Sequence, residues 1–424
     1  MNARFHKLRI WKITVVILLI LGLPGVSVSS AEEISSYTIG TGSRAYQYEE
    51  LLGLYQYSSP AYLKSSVTYQ IEALNATLAA ESYNSVNREY AEIVVKLSEL
   101  EGVKGTLQAY AAGITDATAL AEINAELMNI DVQINQYSKS ISTAQFSLAE
   151  TKLQEEMAVF YNTYQHMLIT NAQTSLKNEF LKKCYGLMLI KEQQDYYQAY
   201  QSYLSLVRTV QVIKYQRGLI GRVDLDLAEA NLMKNDVTIL KNQSNYDKSL
   251  SIIIKETNLG SDFNFRFQLP AERKDYKQEE LQATFLINNV TLKQLSNYIN
   301  SYINYQNNNT TKSQALTKQI DLKIQDYSLQ ENELRNNIKA YAKDAITAYE
   351  NAFRTYEMAR SEIKLKGKQL EIVVAKKAYK KATELELRQA VYEKEAAEVT
   401  LYQSYYDIIV WQNILDNHIY GATP

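Results

Sequence analysis

Residues 316–370 read "LTKQIDLKIQDYSLQENELRNNIKAYAKDAITAYENAFRTYEMARSEIKLKGKQL". Apolar or small side chains return at Ile320, Ile324, Tyr327, Leu334, Ile338, Tyr341, Ala345, Ala348, Ala352, Tyr356, Ala359, Ile363, Gly367 and Leu370, with Glu331 the one acid in the row. The row covers about 50 residues in 14 steps. Its mean step of about 3.57 lies between the 3.5 of a left-handed coiled coil and the 3.6 of a straight helix. Lys, Glu, Gln and Asn crowd the other faces, so the stretch reads as one long amphipathic helix that needs partners. The alanines let a neighbouring helix come close. Tyr327, Tyr341 and Tyr356 pack their rings while their hydroxyls reach the wet edge.

Outside this stretch the chain lacks the punctuation other folds require. Its 424 residues include 14 Gly and 4 Pro, and 61–269 and 271–423 run without proline. No glycine lies between Gly113 and Gly186, or between Gly260 and Gly367. Sheets turn every 8–12 residues or so, and turns lean on Gly, Pro, Asn and Asp, which argues against a sandwich, a barrel or a doubly wound α/β domain. Helices are expected at about 44–112, 116–217, 221–258, 279–308, 313–380 and 383–420. The Ser-rich 138–145 and "MLITNAQTS" at 167–175 are two places where the second could break. Between the fourth and the third, "FNFRFQ" alternates apolar with polar side chains and Pro270 stops a helix from resuming, so this is an extended linker with room for one short strand.

The N-terminus has the layout of an export signal. Residues 1–12 are basic, Ile13–Leu23 is an apolar run, Pro24 and Gly25 break it, and small residues precede Glu32. The run is short for a membrane span, and cleavage after Ala31 is expected, an uncleaved anchor being the alternative. Formal net charge is −2; the first 31 residues carry Arg4, Lys7, Arg9 and Lys12 and no acid, so the mature chain stands at −2 − 4 = −6. That charge argues against nucleic acid as a partner. The single Cys184 cannot form an internal disulfide and reads as a small core residue.

The segments 213–260 and 377–421 follow one plan. Each is a tight helix-to-helix turn followed by a long returning helix that closes on a glycine, Gly260 or Gly421. Setting Tyr215 against Tyr379 puts Gly218 opposite Ala382, Val223 opposite Leu387 and Leu232 opposite Ala396, and later Tyr246–Asp247 opposite Tyr406–Asp407. The pattern is an internal duplication with two helical hairpins per chain.

The motif built by Tyr215, Gly218, Val223, Asp224, Leu225, Ala228, Leu232, Tyr246, Leu250 and Gly260, with Tyr379, Leu387, Tyr406 and Gly421 in the second copy, resembles the TolC-like outer-membrane efflux channel family. Resemblance extends over about 175–421; before that it is one of general helical character. It implies a homotrimer in which two hairpins per subunit form a twelve-helix tunnel. It also implies docking of a membrane-fusion adaptor, and through it an inner-membrane or ABC-type pump, on the turns. The matching positions are Arg217, Gly218, Leu219, Ile220, Gly221, Arg222 and Val223 in the first turn and Lys381, Ala382, Thr383, Glu384 and Leu385 in the second. The sequence departs from the family in two respects. Ala382 stands where the second turn should have glycine, and the places for barrel hairpins hold "EGVKGTLQAYAAGITDAT" (101–118), with room for at most one short strand, and the polar "NYINSYINYQNNNTTKSQ" (297–314).

Chemistry for catalysis is missing from the sequence. His166 and His418 are far apart, no glycine-rich loop precedes a Lys-Ser/Thr pair, and no cofactor or metal is expected. The lysines 364, 366, 368, 376, 377, 380 and 381 before the second turn read either as a solvated helix end or as a docking surface. Two functions remain. One is an exported, non-enzymatic tunnel subunit of an efflux or secretion assembly, in the outer membrane and periplasm or at the cell surface. The other is a secreted coiled-coil structural or adhesive protein of the cell envelope. The expected architecture is all-α: long antiparallel coiled-coil hairpins in two duplicated halves, forming a trimeric α-barrel. A signal (1–31) precedes a first helical half (32–260), an extended linker (261–278) and a second helical half (279–424).

Overall fold

A computed structural model of the chain describes residues 36–40, 44–260, 264–268, 272–308 and 313–424. The expected export signal lies outside the described residues, as do 309–312 of the polar stretch and parts of the linker. Eight helices dominate: α1 (Tyr48–Ser58), α2 (Pro60–Ala111), α3 (Ala117–Gln216) and α4 (Arg222–Thr257), then α5 (Gln278–Asn288), α6 (Val290–Asn308), α7 (Gln314–Ala378) and α8 (Glu384–Asp416). A small sheet joins the halves, in the order β1–β3–β2. In it β3 (Asn264–Gln268) pairs antiparallel with β1 (Ser36–Gly40) and parallel with β2 (Ala45–Gln47).

Two expected helices are broken. Instead of one helix over 44–112, the chain has a strand at Ala45–Gln47, then α1, then an extended Ser59 with ψ of 119° before α2. Pro60 is the cause: it disfavours the helical conformation at the residue before it and has no N–H to continue the ladder. Instead of one helix over 279–308, Asn289 is extended between α5 and α6, and its side-chain oxygen accepts the N–H of Leu292 at 3.0 Å, a cap that starts a new helix. α3, by contrast, is continuous for 100 residues, about 150 Å at 1.5 Å per residue. At 138–145 the hydroxyls of Ser138, Ser140 and Thr143 donate to carbonyls four residues back, so polarity is absorbed without a break.

The duplication extends further than the hairpin turns. Each half opens with an eleven-residue helix, a single extended residue and a longer helix, and Glu-Glu-Leu stands at 49–51 and again at 279–281. Leu51 and Tyr55 are buried in the first half where Leu281 and Phe285 are buried in the second. Two cores result. One gathers Leu51, Tyr55, Phe180, Cys184, Met188, Ile253 and Phe265, and burial pushes the Cys184 thiol well above its ordinary range. The other gathers Phe285, Ile338, Ala345, Tyr349, Ile408 and Leu415. Every position of the row that predicts α7 is buried or half-buried, Ile338, Ala345 and Ala359 almost completely.

Length separates the halves. α2 has 52 residues against 19 in α6, so the α2–α3 hairpin continues for 52 − 19 = 33 residues past the level where α6 ends. That projection is about 50 Å long. Its seam is a strict heptad on both strands: Tyr83, Val86, Tyr90, Ile93, Leu97, Leu100, Lys104 and Leu107 on α2, and Leu120, Ile123, Leu127, Ile130, Ile134, Tyr137, Ile141 and Ala144 on α3, all at least half-buried. Lys104 and Asp131 pair across it at 2.6 Å. The stretch 101–118 is therefore helix, tight turn and helix, with no strand, and 297–308 is helical too. Among the described residues no helix is long and apolar enough to cross a membrane.

Candidate functional site

α3 packs against α4 on one flank and α8 on the other, and α8 packs against α7, so the layer reads α4–α3–α8–α7. Tyr203 of α3 lies 4.8 Å from Tyr392 of α8, ring to ring, and the two helices run in opposite directions. From that level both turns lie toward the same end, about 20 Å on for the first and about 12 Å for the second, at 1.5 Å per residue.

The turns are built alike with different residues. Gly218 (φ 70°) and Lys380 (φ 56°) occupy the left-handed position. The next residues, Leu219 and Lys381, donate N–H to carbonyls five back, on Lys214 and Lys376, both at 2.8–2.9 Å. The following helix starts with an acid at its third position in each case. Asp224 accepts the Gly221 N–H at 3.2 Å; Glu386 accepts the Thr383 N–H at 2.6 Å while Thr383 Oγ1 accepts the Glu386 N–H at 3.2 Å. The equivalence is thus Gly218 with Lys380 and Gly221 with Thr383, two residues away from the register read in the sequence. Ala382 is not in the glycine's place; Lys380 is, at a steric cost of roughly 1–2 kcal/mol.

At the first turn Leu219 and Val223 are exposed, Val223 to 79%, Ile220 is half-buried, and the Arg222 guanidinium lies 5.9 Å from the Tyr215 ring while pairing with Asp226 at 2.7 Å. Arg217 and Gly221 are exposed beside them. At the second turn Tyr379 is exposed, Ala382 and Glu384 are half-buried, and Leu385 is half-buried at the helix start. Glu384 pairs with Lys377 and with Arg388, and the Lys377 hydrogen bond holds its carboxyl below the usual range. Lys366 pairs with Glu393 at 2.9 Å, whereas Lys364, Lys368, Lys376, Lys380 and Lys381 have no acid within ion-pair distance among the described residues. The lysine cluster is therefore part paired and part free.

The sequence reading missed the outer edges of the layer. α4 exposes Val223, Leu227, Met233, Val237 and Leu240; α7 exposes Met358, Leu365 and Ile372, with Tyr379 continuing the seven-residue step. These are apolar stripes at coiled-coil spacing without a partner helix. Higher up, α2 exposes Leu63, Val67, Ile71, Leu74 and Leu78, and α7 exposes Leu322 and Leu329. The α2 stripe ends at Leu78, nineteen residues from the start of α2, and α6 is 19 residues long. Beyond that level the hairpin is closed by its own seam, and its exposed apolar side chains, among them Val95, Val103 and Tyr110 on α2 and Met128 and Val132 on α3, are scattered. The 3.6-residue period of these second faces was available in the sequence, hidden behind the stronger primary seams.

Between α3 and α8 the side chains are unusual for a helix interface. Tyr196, Tyr200, Tyr203 and Tyr392 form a chain of ring contacts, 4.8 to 6.2 Å apart. Above them Glu395 has its carboxyl pushed up to about 7, first by burial and then by the charge of Glu398, which itself pairs with Lys394 at 2.6 Å; Glu192 faces them from α3. On the other flank of α3 the contacts are amides: Asn235 Nδ2 donates to the Tyr197 carbonyl at 3.1 Å and to Gln201 at 2.8 Å, and Gln194 bonds Gln243. His166 is exposed and His418 is half-buried against Phe285; no cluster of His, Cys, Asp and Glu suited to a metal ion occurs among the described residues.

No family model and no curated protein matches the sequence. Among solved structures the chain is similar to outer-membrane channels. The VceC outer membrane protein of Vibrio cholerae is 9% identical, over 66% of this chain and 76% of that one, with a TM-score of 0.43. The open MtrE channel of Neisseria gonorrhoeae is 12% identical, over 63% and 71%, at 0.42. The CmeC channel of Campylobacter jejuni is 12% identical, over 67% of each chain, at 0.39.

Proposed function

We propose that the chain is an exported subunit of a helical tunnel serving an efflux or secretion assembly, a passive conduit without catalysis of its own. The observation that carries this reading is the pair of apolar stripes on opposite edges of one four-helix layer, on α4 and α7, continued upward on α2 and α7. Burying the α7 stripe of one copy against the α4 and α2 stripes of the next is a head-to-tail contact, and such contacts make closed rings when the rotation closes. Three copies would give twelve helices around a passage, in keeping with the resemblance the hairpin motifs carry. The turns at 217–223 and 381–385 then form a ring at one end, with Leu219 and the free lysines as the surface offered to an adaptor.

The test exploits the two-sidedness of the contact. The mature protein should have three times the chain mass by light scattering; a monodisperse monomer removes the tunnel. Leu365→Glu with Ile372→Glu spoils one edge, and Val237→Glu with Leu240→Glu spoils the other. Each variant alone should be monomeric, and their mixture should form a capped dimer through the two intact edges. Replacing Gly218–Arg222 with bulky acids should abolish adaptor binding and leave helicity intact, and unchanged binding would remove the docking assignment. If trimers form but liposomes bearing them, together with the adaptor, pass no solute, the structural role in the envelope takes the place of the conduit.

A further inference from the structure

A cleft of about 500 Å³ opens where the two halves meet, between α2 (Tyr69), the middle of α3 (Tyr161, Asn171, Thr174), the α5–α6 break (Asn288, Gln294) and the C-terminal turn (His418, Tyr420). That volume is in the range of small-molecule sites, roughly 300–1,000 Å³. The cleft has a structural cause. Asn289 ends α5 and caps α6, and the turn after α8 is held by Tyr341, whose hydroxyl donates to the carbonyls of Ile419 at 3.0 Å and Ala422 at 2.6 Å. Two bent segments therefore face the straight α3, and a straight helix cannot follow both.

The walls contain no Asp, Glu, Lys or Arg. An ion or a phosphate would find no counter-charge there. A purely apolar ligand would strand the amides and hydroxyls, each at a cost of roughly 1–3 kcal/mol. What fits is a molecule with many neutral hydroxyls and an apolar ring face. Amides pair a donor with an acceptor and suit adjacent hydroxyls, and the faces of Tyr69, Tyr161 and Tyr420 are negative in their centre and receive ring C–H groups. Several of these groups are uncommitted: the Thr174 hydroxyl and the Asn288 side-chain amide make no hydrogen bond within the described chain, while Asn171 uses one amide donor, 3.1 Å from the Asn288 carbonyl. Burial disfavours the charged form of His418, the one imidazole in the wall.

We propose that this cleft binds a neutral saccharide of one or two rings, through the amides and hydroxyls of α3 and the α5–α6 break and the tyrosine faces around them. The sugar is either part of an envelope glycan or a free saccharide. The full mature chain is titrated with diacetylchitobiose and with maltose by calorimetry, and is sedimented with purified peptidoglycan sacculi. Binding of the disaccharide with co-sedimentation assigns the wall glycan; disaccharide binding with the protein left in the supernatant assigns a free sugar. Thr174→Trp should weaken binding at least tenfold by filling the cleft, and Asn288→Ala, which disturbs no hydrogen bond of its own side chain, by about threefold. Absence of binding to both sugars and to sacculi overturns the proposal, as does unchanged affinity in both variants with helicity retained. Oligomer mass is measured on the same samples, so a monomer that still binds sugar sinks the tunnel and leaves the cleft standing.

Discussion

The two halves of the chain repeat a backbone and not a sequence. At the hairpin turns Gly218 is matched by Lys380, and at the ends of the returning helices Asn258 (φ 54°) is matched by His418 (φ 53°). Leu259 and Ile419 donate N–H to carbonyls five back, on Ile254 and Ile414, in the same geometry. The breaks after the opening helices are made by Pro60 in one half and by the capping amide of Asn289 in the other. Different residues satisfy the same need, because a helix end asks only for a left-handed residue, a capped first turn and a hydrophobic contact. Where the halves do differ is in reach: the first sends a two-stranded coiled coil about 50 Å past the second.

The strongest challenge to this comparison is a matched pair of core truncations. Tyr55→Ala and Phe285→Ala remove pseudo-equivalent rings that are both almost completely buried, and each should cost about 3–5 kcal/mol in denaturant unfolding. A large cost in one and little in the other would show that the repeated backbone is not matched by repeated energetics. The turns come next. Gly218→Ala should destabilise by about 1 kcal/mol, and Lys380→Gly should stabilise by about 1 kcal/mol, since of the two hairpin turns only the second holds a side chain in the left-handed region. If Ala382→Gly stabilised instead, the two-residue shift in register would be wrong. Thr383→Ala should cost about 1 kcal/mol through the lost cap, while Gly221→Ala, with no cap side chain to lose, should cost less.

A pH-dependent effect separates the two flanks of α3. Glu395 has its folded-state carboxyl raised to about 7, so the native state holds a proton that the unfolded chain releases near its ordinary value of about 4.3. Its contribution to stability is therefore greatest at low pH, declines as pH rises between those values, and is constant above. Glu395→Gln should gain thermal stability over the parent across that window, most at pH 8. Asn235→Ala, on the amide flank, should shift stability equally at pH 5 and pH 8.

The helical class and the approximate positions of the hairpin turns were legible because hydrophobic period and scarce glycine are local signals. The strand at Asn264–Gln268 was legible in the alternation of "FNFRFQ". The two-residue error at the second turn arose from matching Tyr215 with Tyr379, an identity that the helix ends do not need. Ala45–Gln47 was lost inside an expected helix because three residues carry no period. Pro60 was in plain view, yet a proline at the first position of a helix resembles one that merely precedes it. The turn residues were named from a motif; which of them are exposed, and which of the seven lysines are free, depended on where Glu384 and Glu393 fall across the hairpin.

By itself the sequence determined that this chain folds into long helices with few places to bend, since a side chain every 3.5 to 3.6 residues selects a helix whatever it later meets. Tertiary structure decided the order α4–α3–α8–α7 and with it which apolar stripes stay uncovered. It decided too that a neutral cleft opens where two bent segments face a straight one. Both outcomes depend on which helix lies beside which, and period, a property of one helix at a time, is silent on its neighbours.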